Sequence, residues 1–398
     1  MHISNKVNNL EFSGTMQISG KAKELKSQGV NVIDLSVGEP DFPTPQRIKN
    51  AAIKAMEEGH TGYTMASGII PLRKAIGTWI KDFSGVEYST NEIIVSNGAK
   101  HSLYNALQAI IEVGEEVIIP APYWVTYPAL VKIVDGIPVY IETTQENDFK
   151  ITPNQLKAAI TEKTRALILC NPSNPTGSVY SKVELEEIGK IILENDLYVI
   201  SDEIYSRLVY DDFEFVSLPS LSPELKEKTI LIEGVSKSYS MTGWRIGFTA
   251  ADKEIISGMG KLQSQMTSNP TSISQYAAME AIAGPQDDVE EMRKTFAERR
   301  EFLFKALNQI QGVKTANAKG AFYLFPDFSS FFGKSYEGKK IENSMDLAMY
   351  LIAEAKVATV PGYLIGGKTG TSQKSDLENG GYRKDVLSSF IVNTYGPL

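Results

Sequence analysis

The chain has 398 residues, 42% of them hydrophobic, which is enough for one large domain and a smaller one. Its formal charge of −8, with both signs mixed along the chain, argues against a nucleic acid or an anionic membrane as partner. One cysteine excludes a disulfide framework, and residues 1–10 lack the apolar core of a signal peptide, so we expect a cytoplasmic enzyme without a membrane span.

Short apolar strands alternate with amphipathic helices from about residue 48 to residue 282. This alternation predicts an α/β domain with a mostly parallel sheet, spanning residues 46–284. After Gly284 the pattern predicts a charged helix over residues 287–310, a strand over 320–325 and a helix over 344–355. We assign these elements, with the N-terminal segment, to a smaller α+β domain made of residues 1–45 and 285–362.

The first candidate site follows a predicted strand at residues 92–96, where a helix opens with Asn97, Gly98, Ala99 and Lys100. Small residues at a helix N-terminus leave backbone N–H groups for an anion, and the helix dipole adds to the attraction. Lys100 lies in the first turn, where a cation opposes that dipole. Its presence therefore indicates an anionic partner nearby.

Two further strands end on groups that suit a planar ligand. Trp124 follows the strand at residues 116–119 and could stack on a heterocycle, although a core tryptophan is the alternative. The strand at residues 166–170 runs into residues 171–177, where two Asn-Pro pairs and a glycine predict a rigid turn. Such a turn could aim the amide of Asn174 at the same ligand.

The next strand begins at Tyr198 and ends on Asp202, with Tyr205 three residues later. A carboxylate at this place could keep a proton on a ring nitrogen, which a pyridine cofactor needs to withdraw electrons. Tyr205 is close enough in sequence to reach the ring's phenolic oxygen. The alternative for Asp202 is the cap of a following helix.

Lys237 follows an apolar run over residues 229–235 that predicts a buried strand. Desolvation lowers the pKa of a lysine, so that its free amine can condense with an aldehyde. Ser236 before it and Arg245 after it supply the hydroxyl and the guanidinium that hold a phosphate. An aldehyde that carries a phosphate is pyridoxal 5'-phosphate (PLP), whereas a lone lysine would be a surface residue.

These motifs, in this order, resemble the fold-type I PLP aminotransferases, and most of all the prokaryotic-type aspartate aminotransferase subgroup. The resemblance runs from about Ser13 to Gly362 and includes residues 37–42, Tyr63 and the segments described above. It implies a large domain with a mostly parallel seven-stranded sheet, a homodimer with active sites at the interface, and amino acid and 2-oxo acid substrates.

The resemblance also implies a role for each cofactor residue. Lys237 holds PLP and carries the proton between substrate and cofactor, and Asp202 holds the proton of the pyridine nitrogen. The ring oxygen is bound by Tyr205 and by Asn174, whose peptide bond to Pro175 is expected to be cis. The remaining cofactor ligands are Gly98, Ala99, Ser236 and Arg245 at the phosphate, Trp124 on the ring, and Tyr63 at the phosphate of the partner subunit.

For the substrate, the resemblance assigns Lys100 and Ser13 to the distal carboxylate of a dicarboxylic amino acid. It assigns Gly38, Trp124 and Asn174 to the surroundings of the α-carboxylate. The implied reaction moves the amino group of L-aspartate to 2-oxoglutarate, and some members of the subgroup also use prephenate. The alternatives are another PLP reaction on the same fold, such as a β-lyase, and a PLP-binding protein impaired by its C-terminal tail.

The tail, residues 363–398, departs from the family. Arg383 is its one arginine and could pair with the substrate α-carboxylate, but the match needs an insertion. Residues 362–369 satisfy the P-loop pattern by their letters, although the following residues are a poor helix start. Residues 368–371 resemble the lysine-threonine-glycine region of penicillin-binding transpeptidases, yet the chain lacks the S-x-x-K nucleophile motif. We therefore reject transpeptidase activity and disfavour a P-loop, and a tail of foreign origin stays open.

Overall fold

The computed structural model describes residues 2–8, 10, 14–363 and 388–393. The α-helices are α1 (Asn5–Asn8), α2 (Gly14–Ser27), α3 (Gln46–Glu57), α4 (Ile70–Ser84), α5 (Ala99–Ile110), α6 (Thr126–Ile133), α7 (Pro153–Ala159), α8 (Lys182–Glu194), α9 (Pro223–Lys228), α10 (Lys253–Met266), α11 (Ser272–Ala283), α12 (Asp287–Asn308) and α13 (Ser344–Tyr350). The strands are β1 (Ile33–Asp34), β2 (Ile93–Ser96), β3 (Glu116–Ala121), β4 (Ile137–Glu142), β5 (Thr164–Cys170), β6 (Tyr198–Asp202), β7 (Thr229–Gly234), β8 (Gly247–Ala250), β9 (Tyr323–Leu324), β10 (Ser335–Tyr336), β11 (Lys339–Lys340), β12 (Val357–Ala358), β13 (Val360–Tyr363) and β14 (Ser388–Asn393).

A seven-stranded sheet forms the centre of the molecule, in the order β2-β8-β7-β6-β5-β3-β4. The pairs among β4, β3, β5, β6 and β7 are parallel, and only β8 runs antiparallel to its neighbours β7 and β2. The predicted α/β fold with a mostly parallel sheet is therefore confirmed.

Helices cover both faces of this sheet, which explains why its strands are apolar runs instead of alternating patterns. On β6, Val199 packs into the core beneath α7 and α8, whereas the next residue, Ile200, packs into the core beneath α5 and α6. Successive side chains of a strand point to opposite faces, so both faces are dry. The polar residues that end β6 and follow β7 then lie at the edge of the sheet, where ligands bind in such folds.

Outside this sheet, two predicted elements differ from the structure. The strand predicted over 320–325 is reduced to β9, because Ala321 adopts the left-handed region (φ 56°) and its N–H bonds the carbonyl of Leu208. The helix predicted over 344–355 is α-helical only to Tyr350 and continues as a short π-helix over Leu351–Ala355. Both changes shift element ends without moving a candidate site residue.

A second, three-stranded sheet has the order β13-β14-β9, and β14 pairs antiparallel with both neighbours. Residues 388–393 of the tail thus join backbone that precedes the tail. A separate hydrophobic core includes Ile18 of α2, Leu324 of β9 and Leu347 of α13. The division into two domains at the predicted boundaries stays a prediction. In the described part of the chain, no helix combines the length and the hydropathy that crossing a membrane requires.

Candidate active site

Lys237 lies just beyond the end of β7, half-buried, and its Nζ donates a hydrogen bond of 2.5 Å to the carbonyl of Gly38. Burial lowers the pKa of this lysine to about 8. The Glu39 carboxylate opposes this shift, and the positive charge of Arg245 lowers the pKa further. Glu39 is itself held by the hydroxyl of Thr242 at 2.6 Å. The segment around Gly38 therefore covers the lysine amine, and burial makes its free-base form easier to reach than that of an exposed lysine.

Asp202 ends β6 and is 3% exposed. The hydroxyl of Tyr127 donates to its Oδ2 at 2.6 Å, and the backbone N–H of Ile204 approaches Oδ1 at 3.4 Å. Burial raises the pKa of the carboxyl to about 6, although the Tyr127 hydrogen bond acts in the opposite direction. Residues 204–207 form turns, so Asp202 caps no helix. With a pKa of about 6, the carboxyl is mostly ionised at neutral pH.

Two phenols meet next to the lysine. The hydroxyl oxygens of Tyr205 and Tyr323 are 2.6 Å apart, and both side chains are buried. The Tyr205 ring centroid lies 6.0 Å from the Nζ of Lys237. Burial raises the pKa of both phenols, so each keeps its proton and the pair can donate one hydrogen bond outward.

Asn174 is half-buried in the turn after β5, and its peptide bond to Pro175 is cis, as the resemblance implies. Asn174 lines one small cavity together with Tyr127 and Cys170. Cys170 lies beside Asp202 in the parallel register of β5 and β6. The predicted turn and the predicted acid are thus neighbours at one edge of the sheet.

The start of α5 and the loop before β8 form a cradle. Gly98 precedes the helix with φ 85°, and a Cβ there would collide with the Arg245 guanidinium. Arg245 donates to the carbonyl of Asn97 at 3.4 Å and to that of Thr242 at 2.8 Å. The first N–H groups of an α-helix have no partner within the helix, so the N–H of Ala99 is available to an anion, and the Arg245 guanidinium lies against the adjacent Gly98. The donor set suits a phosphate.

Lys100 and Trp124 contact each other. The Lys100 Nζ lies 4.8 Å from the centroid of the Trp124 ring. Partial burial and the positive charge of Arg245 lower the pKa of Lys100. Trp124 packs edge-on against Tyr127 at 5.5 Å and borders the core beneath α5 and α6, so it is both a core residue and a wall of the site.

The other predicted site residues are placed differently. Tyr63 is 94% exposed and is not brought together with Lys237 in its own chain. Ser236 is buried directly beside Lys237. Ser13 and Arg383 lie outside the described residues.

Sequence reasoning missed Tyr127, Tyr323 and Glu39 as members of the site. Tyr127 comes three residues after Trp124 and Tyr323 lies in a predicted strand, but only the fold brings the first to Asp202 and the second to Tyr205. Glu39 stands beside Gly38 in the segment that the resemblance had singled out. No local pattern distinguishes these three from ordinary core and surface residues.

Comparisons with known proteins agree with this geometry. Residues 30–370 match the family "Aminotransferase class I and II". The chain is 51% identical over 360 residues to an aspartate aminotransferase of Bacillus sp. (strain YM-2), covering 90% of this chain and 91% of that protein. It is 45% identical over 366 residues to a probable aspartate/prephenate aminotransferase of Rickettsia felis, covering 92% and 90%.

Among solved structures, the fold is similar to the aspartate aminotransferase of Rhizobium meliloti, with a TM-score of 0.89 and 37% identity over 100% of this chain and 95% of that one. It is also similar to the Thermus thermophilus aspartate aminotransferase with maleate, with a TM-score of 0.84 and 37% identity over 90% and 91%. With a family match over most of its length and relatives at this identity, the chain belongs to the aminotransferase class I and II family.

Proposed function

We propose that the protein is a PLP-dependent aminotransferase that moves the amino group of L-aspartate to 2-oxoglutarate. One observation carries the proposal: Lys237 holds a half-buried amine with a pKa of about 8 at the end of a sheet strand. The buried carboxylate of Asp202 and the guanidinium of Arg245 both act on that amine electrostatically. A reactive amine, an acid and an anion cradle together suit a phosphorylated aldehyde.

The donor set fits PLP. Gly98, Ala99, Ser236 and Arg245 would hold the phosphate, since a side chain at Gly98 would fill the cradle that they form. Asp202 would hold the proton of the pyridine nitrogen, because its Oδ1 has only a weak partner while Tyr127 occupies Oδ2. When bound, PLP supplies an electron sink for the charge that develops at the substrate Cα.

The protein's own groups then orient the substrate and move the proton. Lys237 would take the proton from the substrate Cα and later return a proton, and a pKa of about 8 suits an amine that must both accept and release one. Tyr205 and Asn174 would bind the ring oxygen of PLP, and Trp124 would pack on its ring face. The buried side chains of Tyr205 and Tyr323 exclude water from one side of the site.

A dicarboxylic substrate is favoured by Lys100, whose Nζ lies over the Trp124 ring without a carboxylate partner among the described residues. Ser13 would join it at the distal carboxylate. The α-carboxylate would lie near Gly38, Trp124 and Asn174, with Arg383 as its counter-ion. The relatives in Bacillus and Rickettsia are named for aspartate, one of them also for prephenate, and the Thermus thermophilus structure holds maleate, a dicarboxylate.

We propose a homodimer as the working assembly. Between residues 53 and 70, five large side chains with apolar surface are each 46% to 94% exposed: Ile53, Met56, Tyr63, Met65 and Ile70. So many exposed apolar side chains in one stretch of the chain favour a protein interface there. In the dimer, Tyr63 would contact the PLP phosphate of the second subunit.

The test is a titration of purified protein with PLP, followed by borohydride and then by aspartate with 2-oxoglutarate. We expect a visible absorbance band, trapping on Lys237, and formation of oxaloacetate and glutamate. Pyruvate with ammonia would instead identify a β-lyase. The family match ends at residue 370, which favours a second candidate: a protein that binds PLP but transaminates poorly because the tail differs. A colourless protein after PLP treatment would contradict all three.

A further inference from the structure

Two fully buried glutamines hold the loop that carries Tyr63. The first is Gln275 in α11, with 0% exposure. Its Oε1 accepts the N–H of Ile69 at 2.8 Å, and its Nε2 donates to the Thr64 hydroxyl at 3.1 Å and to the Pro270 carbonyl at 2.8 Å. Both N–H groups and the oxygen of this side-chain amide therefore have partners, and one of the partners, Thr64, directly follows Tyr63 in the chain.

The second is Gln263 in α10, also with 0% exposure. Its Nε2 donates to the carbonyls of Ala66 at 2.5 Å and Val95 at 2.7 Å, and its Oε1 accepts from the Asn105 amide at 3.1 Å. Gln263 thereby joins the loop to the end of β2 and to α5, the two elements that flank the phosphate cradle.

The loop is held on its other side by an aromatic contact. His60 stacks on Tyr276 of α11, with ring centroids 4.3 Å apart and an interplanar angle of 14°. Adjacent residues of α11, Gln275 and Tyr276, thus fasten the chain on both sides of Tyr63. Between these anchors the Tyr63 side chain is 94% exposed. A buried network that fixes the backbone of an exposed aromatic side chain reduces the entropy lost when that side chain binds a partner.

We propose that Gln275 is a positioning residue that acts across the subunit interface: it presents Tyr63 to the phosphate site of the neighbouring subunit and does not serve the active site of its own chain. Gln263 supports it from behind. The proposal rests on the proposed function, in which Tyr63 contacts the partner's PLP phosphate. A glutamine that only stabilised the fold would affect the site of its own chain at least as strongly.

Hybrid dimers separate these two roles. In the first hybrid, one chain carries Gln275→Met and the other carries Lys237→Ala, so the one remaining Lys237 faces an intact Tyr63 loop. In the second, a wild-type chain is paired with a chain that carries both substitutions, so the remaining Lys237 faces the altered loop. Both hybrids contain the same substitutions and one Lys237 each. Two affinity tags isolate them.

The readout is PLP retention, measured as the dissociation constant and as the fraction of Lys237 chains labelled after borohydride, by intact mass. We expect the first hybrid to match a wild-type/Lys237→Ala dimer and the second to bind PLP roughly tenfold more weakly, the effect of one hydrogen bond to a charged group. Equal binding by the two hybrids, or the weaker binding in the first, would overturn the proposal.

A matched control is Gln265→Met, an exposed glutamine on α10, which should leave PLP retention unchanged in both arrangements. If Gln275→Met does not fold, Thr64→Val replaces it, since it removes only the hydroxyl that meets the Gln275 amide, and the same comparison applies. Failure of the cofactor assignment is distinguishable, because the wild-type dimer would then hold no PLP, whereas a wild-type dimer that holds PLP while the two hybrids bind it equally contradicts only this inference. A wild-type protein that binds PLP as a monomer would overturn the inference alone.

Discussion

Replacing Tyr127 by phenylalanine should disable Asp202 at neutral pH. The Tyr127 hydroxyl donates to Asp202 at 2.6 Å inside a buried site, and the pKa of that carboxyl is already raised to about 6 by burial. A hydrogen bond to a charged group is worth about 1.5–3 kcal/mol. At 1.36 kcal/mol per pKa unit, its loss would raise the pKa of Asp202 to about 7–8.

The sign follows from the direction of the shift. A raised pKa favours the neutral acid, so at pH 7 the ionised fraction of Asp202 would fall from roughly nine-tenths to between one-half and one-tenth. A neutral acid cannot hold the proton of the pyridine nitrogen as a counter-ion. We therefore expect Tyr127→Phe to weaken PLP binding below about pH 8 and to recover most of it near pH 9.

The assay is the association constant of PLP with the cofactor-free protein across pH 5.5–9.5, always as a ratio to wild type so that the titration of PLP itself cancels. Tyr180→Phe is the matched control, because its buried hydroxyl accepts the backbone N–H of Ile151 at 2.9 Å and makes no hydrogen bond to Asp202. If the PLP association constant of Tyr127→Phe fell at the same acidic pH as that of wild type, the role assigned to this hydrogen bond would be refuted.

Three other outcomes are expected. Lys100→Ala should lower kcat/KM for aspartate by roughly one to two decades and spare alanine, because a charge-assisted pair is worth about 1.5–3 kcal/mol; an equal loss for both substrates would contradict this. Arg383→Ala should reduce kcat/KM by several decades if this arginine pairs with the α-carboxylate, and no change would show that the tail takes no part. Glu203→Gln should flatten the decline of the free energy of unfolding between about pH 4.5 and pH 7, measured by urea melts. Burial raises the pKa of Glu203 to about 7, so the stability that this carboxyl contributes below its unfolded pKa is lost as the pH rises through its folded pKa.

Several features of the molecule could be predicted from local sequence because they depend on local physics. The apolar strands that end at Ser96, Asp202 and Gly234 were predicted within one or two residues, since a strand buried on both faces is a continuous apolar run. The chemical character of the residues after those strands, among them Lys237, indicated an amine, an acid and an anion cradle. In sheets of this kind, ligands bind beyond the carboxyl ends of the strands, so these groups were expected to lie close together.

Other features depend on contacts between segments far apart in the chain, which no local pattern encodes. Tyr127 and Asp202 are 75 residues apart, and Tyr205 and Tyr323 are 118 apart, yet each pair forms a hydrogen bond. The pKa values of Lys237 and Asp202 arise from burial beneath several segments, including the one around Gly38. The sequence by itself determined the sheet and the chemical types at its edge, whereas the tertiary structure decided which side chains tune them, because burial and pairing exist only after distant segments pack.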